Sequence, residues 1–261
     1  MMRCLLIAAM AVVLSQSTSI AAVQTKTISY KHGNQEFKGF LAWDDSSNDK
    51  RPGVLVVHEW WGLNDYARDR AKQLAEEGYI AFAADMYGDG KTAKHPDEAK
   101  QMATMVRQNV DEWVKRAAAA LEVLKSQPQC DTSKLGAIGY CFGGSTALQL
   151  AFSGADIDAV ATFHAGLFEP TPEQVKRSKA TILICHGAQD SFIPEEMLQK
   201  FRAALDAGKA DWEMDYYAGA RHSFTVKSAD SLGIDGMKYN AEADKRSWAR
   251  MQALFKEKLG R

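Results

Sequence analysis

Long hydrophobic runs are scarce in this 261-residue sequence. The most pronounced, Leu5 to Leu14, is far shorter than the roughly 20 apolar residues a membrane-spanning helix needs. Excess charge is missing too: 32 Lys and Arg stand against 33 Asp and Glu. Near-neutrality gives no field to attract nucleic acid or an anionic surface, so neither is expected as a partner. Internal repeats and low-complexity stretches are absent. Cysteine is sparse, with four in the chain. The Leu5 to Leu14 run follows Arg3 and leads into Ser19-Ile20-Ala21, the order of a secretory signal peptide: basic start, short apolar middle, small residues at the cleavage site. Residues 1–21 are therefore expected to be a leader cut near Ala21 or Ala22, with the product periplasmic or secreted. A buried N-terminal helix fits less well, because the run has no amphipathic period. Cys4 lies near the start of the leader, which argues against a lipid anchor there. Cys130, Cys141 and Cys185 remain, an odd number that leaves at least one thiol free.

What is present is an ordinary globular balance, 46% apolar and 25% charged. Residues 22–261 are enough for one domain. Two short strand-like runs, Thr25 to Tyr30 and Phe37 to Trp43, flank the hairpin turn His32-Gly33-Asn34. Further strands are expected at Gly53 to His58, Tyr79 to Ala84, Leu135 to Tyr140, Asp158 to Phe163, Thr181 to Cys185 and Trp212 to Tyr217. Several are continuous aliphatic runs, the signature of strands covered by helices on both faces. Met102, Val106, Val110, Trp113, Ala117, Leu121 and Leu124 recur at steps of three and four, a helix face that is expected to break near Asn109 and Asp111. Trp248, Met251, Phe255 and Leu259 mark a last helix, with Gly260 suited to its end. The alternation predicts an α/β fold: a mostly parallel sheet of about eight strands flanked by helices, with an antiparallel hairpin at one edge.

The strongest local signal is Gly139-Tyr140-Cys141-Phe142-Gly143-Gly144, between the strand ending at Tyr140 and the helical run Thr146 to Phe152. It has the form G-x-nucleophile-x-G of a tight strand-to-helix turn. Glycines flank it because the turn leaves no room for side chains, and the following helix N-terminus favours negative charge on the sulfur. A buried structural cysteine in a glycine-rich turn is the plainer alternative. A nucleophile in this context needs an acid and then a histidine, each on a loop after a later strand. Asp190 follows the strand ending at Cys185, and His222 follows the one ending at Tyr217. Either alone is commonplace; three roles in the right order point to a Cys141–His222–Asp190 triad. His58-Glu59-Trp60-Trp61-Gly62 has Gly62 where a zinc-protease helix needs its second histidine, so no metal is expected there. His186 is expected to support the turn carrying Asp190, and His32 and His95 to lie on the surface.

These segments, with Ala84-Asp85-Met86-Tyr87-Gly88 and Gly219-Ala220-Arg221-His222-Ser223-Phe224, resemble the dienelactone hydrolase family of α/β hydrolases along nearly the whole chain after the leader. A cysteine in the elbow is itself distinctive. The resemblance implies that Cys141, Asp190 and His222 occupy the triad positions. It further implies that Glu59 lies beside the nucleophile and helps activate it, and that the backbone N–H groups of Phe142 and Trp60 form the oxyanion hole. Trp61, Tyr87, His164 and Phe224 are expected to border the substrate cleft. Two arginines hold the substrate carboxylate in the family, but this chain has Gly88-Asp89-Gly90 and Val226 at those places. Arg221, Lys91, Lys94 and Lys227 are close in sequence, yet a lysine is not a forked clamp. The expectation is therefore a monomeric hydrolase without cofactor, cleaving a small, neutral, fairly apolar ester or lactone through a thioester. The alternatives are a pseudoenzyme that only binds a ligand in the pocket, and a thiol redox protein using Cys141.

Overall fold

The computed structural model describes residues 23–261; the expected leader and its cleavage site lie outside the described residues. The chain opens with β1 (Val23–His32) and β2 (Gln35–Asp44), joined through Gly33, whose φ of +57° is a conformation glycine adopts without strain. Their pairing runs unbroken from Val23 opposite Asp44 to His32 opposite Gln35. After them come β3 (Arg51–Val57), α1 (Asp65–Glu76), β4 (Ile80–Ala84), α2 (Pro96–Arg107), α3 (Val110–Lys125), β5 (Cys130–Tyr140) and α4 (Phe142–Phe152). The chain continues through β6 (Ala159–Phe163), α5 (Pro172–Arg177), β7 (Thr181–Gly187), α6 (Glu195–Gly208), β8 (Trp212–Tyr217) and α7 (Ala241–Leu259). The strands form one sheet in the order β1-β2-β4-β3-β5-β6-β7-β8. β1 and β2 pair antiparallel, β2 joins β4 antiparallel, and the rest is parallel.

The continuous apolar strands do what their composition requires. β3 and β4 are buried at every position, so both faces need helices. Along β3, Leu55 and Val57 point into a layer with Trp113, Ala117 and Leu121 of α3, Leu148 of α4, and Phe201 and Leu205 of α6. Val54 and Val56 point the other way, to Ala67, Ala71 and Leu74 of α1 and Met251, Leu254 and Phe255 of α7. The period of two in the strands and of 3.6 in the helices thus builds two apolar layers around one sheet.

The expected helix break is present: α2 ends at Arg107, and Asn109 caps α3 by accepting from the Glu112 N–H at 3.0 Å. α7 ends at Gly260, with a φ of +77°. β5 starts five residues before the expected Leu135, because Cys130 and Asp131 pair with Arg51 and Pro52 ahead of a register shift. The polar run Asp131 to Lys134 carries no apolar alternation, so only backbone pairing defines that extension. Cys130, Cys141 and Cys185 are all free and buried. Cys130 belongs to the α3 layer and Cys185 to the α7 layer, on opposite faces of the sheet.

Candidate active site

The turn from β5 into α4 puts Cys141 at a φ of +50°, in the left-handed region that side chains other than glycine rarely adopt. Such a conformation costs about 1–3 kcal/mol and persists where the surroundings enforce it. Here they do. A Cβ on Gly139 would sit 2.0 Å from the Gly143 carbonyl oxygen, and one on Gly143 would sit 2.2 Å from the Val57 oxygen. The Cys141 N–H donates to the Phe163 carbonyl at 3.1 Å, and its carbonyl accepts from Gly144 at 3.1 Å and Gly166 at 3.2 Å. The residue is held from three sides. Phe142 opens α4, whose first N–H groups have no carbonyl partner within the helix, and Gly144 donates back to the Cys141 carbonyl.

The loops after β7 and β8 meet beside it. The Asp190 N–H donates to Gly187 at 2.9 Å, and Asp190 Oδ1 accepts from the Phe192 N–H at 2.9 Å. That leaves Oδ2 free to accept from His222 Nδ1 at 2.8 Å. His222 is strapped through its backbone: its N–H donates to Gly236 and its carbonyl accepts from Lys238. Both side chains are almost wholly buried. Burial opposes charge on His222, but the sulfur of Cys141 and the Asp190 hydrogen bond outweigh it and lift the imidazole to about 10. With Asp190 accepting at Nδ1, the second ring nitrogen is the one left for Cys141.

Glu59 follows β3 and is buried, its Oε1 accepting from the Ser223 hydroxyl at 2.9 Å. Burial raises its carboxyl above the ordinary range, against the opposing pull of Ser223 and His222. The loop that carries it is pinned by its neighbours. His58 Nε2 accepts from the Met86 N–H at 3.2 Å, so Nδ1 bears the proton and donates to the Glu59 carbonyl at 2.5 Å. The Tyr87 hydroxyl donates to the Trp60 carbonyl at 2.8 Å, fixing the peptide that precedes Trp61. Asp85, fully buried, accepts from the backbone N–H groups of Lys38, Tyr87, Gly88 and Gly90, and so organises this loop. His186 packs edge-on against Tyr216, and burial lowers its imidazole pKa. His32 is part-exposed and pairs with Glu112 at 2.7 Å.

Cys141 and His222 open into a cavity of about 740 Å³. Trp60, Trp113, Leu167, Phe168, Phe192 and Ile193 give it a broad apolar surface. Of the residues expected to border the cleft, none of Trp61, Tyr87, His164 and Phe224 lines this cavity. Tyr87 is taken up by the Trp60 carbonyl, Trp61 packs edge-on against Trp60, and His164 and Phe224 pack against each other behind the site. The expected lack of positive charge is also corrected. Lys100 and Arg107, both from α2, line the cavity, and no carboxylate does. Arg107 lies with its guanidinium 5.3 Å from the centre of the Phe142 ring. Arg221, Lys91, Lys94 and Lys227 are not in its walls. The signal that could have found Arg107 was the helix break itself: a chain reversing at Asn109 swings the end of α2 over the sheet's carboxyl ends, where sites of this fold class form.

Neither other described cysteine is equipped to act with Cys141. Burial pushes the Cys130 thiol up to about 11 and the Cys185 thiol up to about 12, which keeps both protonated and unreactive at neutral pH.

Comparison with known proteins gives this geometry its family. Residues 37–259 match the model of the dienelactone hydrolase family. Among solved structures, m3DLH is similar at 40% identity with a TM-score of 0.89, over 91% of this chain and 99% of that one. A dienelactone hydrolase-like promiscuous phosphotriesterase from metagenomic libraries is similar at 39% identity and a TM-score of 0.88, over 90% and 98%. A candidate carboxymethylenebutenolidase of Aquifex aeolicus is 28% identical over 237 residues, 89% of this chain and 98% of its own length. A family match across the whole fold, with an eight-stranded, mostly parallel sheet beneath the site, leads to one conclusion: this chain belongs to the dienelactone hydrolase family and is an α/β hydrolase.

Proposed function

We propose that the protein hydrolyses small esters or lactones through a Cys141–His222–Asp190 triad and a thioester intermediate. The observation that carries this reading is the convergence, on one cavity, of a sulfur held at a left-handed turn and a histidine whose Nδ1–H is donated to a buried carboxylate at 2.8 Å. Cys141 attacks the ester carbonyl while its proton resides on His222. The oxyanion forms against the backbone N–H groups of Phe142 and Trp60, a kind of donor worth on the order of 10²–10³ in rate. His222 then protonates the leaving alkoxide and, now neutral, takes a proton from the water that cleaves the thioester. Glu59, buried with a raised carboxyl beside Ser223, is assigned to tuning the reactivity of Cys141.

The cavity supports a substrate with an apolar body and an anionic group that reaches Arg107 or Lys100, in place of the neutral substrate expected from sequence. A desolvated carboxylate needs such a partner, since leaving it unpaired costs several kcal/mol, on the order of a whole binding interaction. The test is a panel of esters, lactones, thioesters and an aryl phosphotriester, assayed with the wild type and Cys141→Ala. Ester turnover lost in Cys141→Ala supports the reading; wild-type turnover in the purified variant sinks it. No turnover by either protein, with ligand still binding, would favour a pseudoenzyme. Peroxide consumption without ester cleavage would favour a thiol redox role, against which the unreactive Cys130 and Cys185 already weigh.

Among the described residues no helix is long and apolar enough to cross a membrane. We assign residues 1–21 to a cleaved leader and the protein to the periplasm or exterior. N-terminal sequencing of protein recovered from a periplasmic fraction should begin at Ala22 or Val23; an intact Met1 would refute export.

A further inference from the structure

Behind the triad lies a run of buried polar groups that the reaction as drawn does not use. It starts at Arg70 of α1, which is buried, ion-paired to Asp244, and stacked within 5.3 Å of the Tyr66 ring and 5.0 Å of the Trp248 ring. Arg70 Nε donates to the Tyr66 hydroxyl oxygen at 3.3 Å. The Tyr66 hydroxyl lies 2.6 Å from the Thr225 hydroxyl, which lies 2.7 Å from His164 Nε2. The other ring nitrogen, His164 Nδ1, is 3.8 Å from Glu59 Oε1 and has no hydrogen-bond partner. The ring is fully buried.

The direction of this run follows from its first member. A guanidinium has donors only, so the Tyr66 oxygen accepts from Arg70 and its own proton must go elsewhere. Among these partners the acceptor available is Thr225. Thr225, having accepted, donates its proton to His164 Nε2. A reversed arrangement would leave the Tyr66 proton with no acceptor among these groups. His164 Nε2 is therefore an acceptor, and a neutral imidazole accepting at Nε2 carries its proton on Nδ1. Burial, with the neighbouring His222, keeps His164 well below its ordinary value and thus neutral. The Nδ1–H consequently faces Glu59 from just beyond hydrogen-bond reach, while Ser223 holds the same oxygen from another side at 2.9 Å.

Both donors are held at left-handed backbone positions. His164 has a φ of +40° and Ser223 a φ of +55°, and neither is glycine. His164 is anchored by its N–H to the Cys185 carbonyl at 2.9 Å, and its ring meets His222 edge-on at 5.2 Å. Strained positions of this kind cluster where a side chain must be aimed.

We propose that His164 is a positioning residue: the one-way run from Arg70 through Tyr66 and Thr225 fixes its tautomer, and its Nδ1–H is the second donor open to the Glu59 carboxylate. The proposal rests on the reading that Glu59 acts on Cys141. It gives Glu59 two seats, one against Ser223 and one against His164, so that a buried carboxylate is never without a donor when it is charged.

The experiment is ¹⁵N NMR of the histidine side chains in the whole protein, joined to kinetics of Thr225→Val, Thr225→Ser and Tyr66→Phe. In the wild type His164 should show a protonated Nδ1 and an unprotonated Nε2. Thr225→Val and Tyr66→Phe should mix the two tautomers and lower kcat by about tenfold with KM little changed, the scale of one hydrogen bond. Thr225→Ser should restore both the spectrum and kcat. A wild-type proton on Nε2, or wild-type kcat in Thr225→Val, overturns the proposal. Glu59→Gln separates the two ideas. If Glu59→Gln turns over substrate normally, the Glu59 reading fails and takes this proposal with it. If it is impaired while His164 is protonated on Nε2, only the proposal falls.

Discussion

At the residue scale, the raised imidazole of His222 sets the expected pH response. The proposed reaction needs a proton on His222 to release the alkoxide, and that proton is held up to about 10. kcat/KM should therefore stay high through neutral and mildly alkaline pH and fall as the pH passes about 10; a limb near the ordinary histidine value of about 6.5 would contradict the ion pair with Cys141. Asp190→Asn tests the same geometry from the other side. The amide oxygen can still accept from the Phe192 N–H, but an NH₂ group then faces His222 Nδ1 and forces the wrong tautomer. kcat should drop by about 10⁴, the size seen for such a replacement in a serine triad, with thermal stability close to wild type. Glu59→Gln should separate activity from stability. A carboxyl whose pKa is raised in the folded state opposes folding progressively as pH climbs above its unfolded value, so removing its charge should stabilise the protein at neutral pH. A gain of about 0.5–2 kcal/mol is the usual range for relieving a functional site. The same change should alter the pH dependence of Cys141 alkylation. A destabilised variant with an unchanged alkylation profile would leave Glu59 as packing.

At the element scale, α2 is the piece expected to decide substrate choice under the proposed function, because it carries Lys100 and Arg107 to the cavity. Arg107→Leu should lower kcat/KM for an ester bearing a carboxylate by about 10- to 150-fold, the worth of a charge-assisted hydrogen bond of about 1.5–3 kcal/mol, and leave the matched neutral ester nearly unaffected. Equal losses on both would mean that Arg107 shapes the wall through the Phe142 ring and does not read charge. The strands were legible in the sequence because buried parallel strands are written as aliphatic runs such as Val54 to Val57, and those runs cannot be mistaken for loops; their order in the sheet was not. The elbow was legible because its glycines answer a steric demand that the fold repeats. The walls of the cavity were not. Of Trp61, Tyr87, His164 and Phe224 only Phe224 is near a proposed triad residue in sequence, and the direction of such side chains is set by backbone turns such as His164's left-handed φ, which no periodicity records. Arg107 is thirty-four residues from Cys141 and shares its cavity only because the helix breaks at Asn109.

At the scale of the whole molecule, the sheet formed by the described residues is open and has β1 and β8 at its edges, each with backbone groups that another chain could extend. This fold meets that hazard with charge. β1 is ten residues long and solvent-facing along most of its length, and it carries Lys26 and Lys31 exposed. β8 carries Glu213, ion-paired with Arg250, and Asp215, which accepts from the Tyr217 hydroxyl. Pairing two β1 strands edge to edge would bring lysines together and strip water from them, and pairing two β8 strands would do the same with carboxylates. β1 against β8 is less forbidden by charge, but a head-to-tail contact of that kind does not close and would build filaments, not a dimer. The protein is therefore expected to be a monomer, with light scattering giving a mass no greater than the 28.8 kDa of the full chain across a wide concentration range. Replacing Lys26 and Lys31 together with valine should leave kcat unchanged, since β1 is the strand farthest from the elbow on its side of the sheet, and should make the mass rise with concentration. A wild-type dimer, or a double variant that stays monomeric at high concentration, would show that something other than edge charge governs assembly.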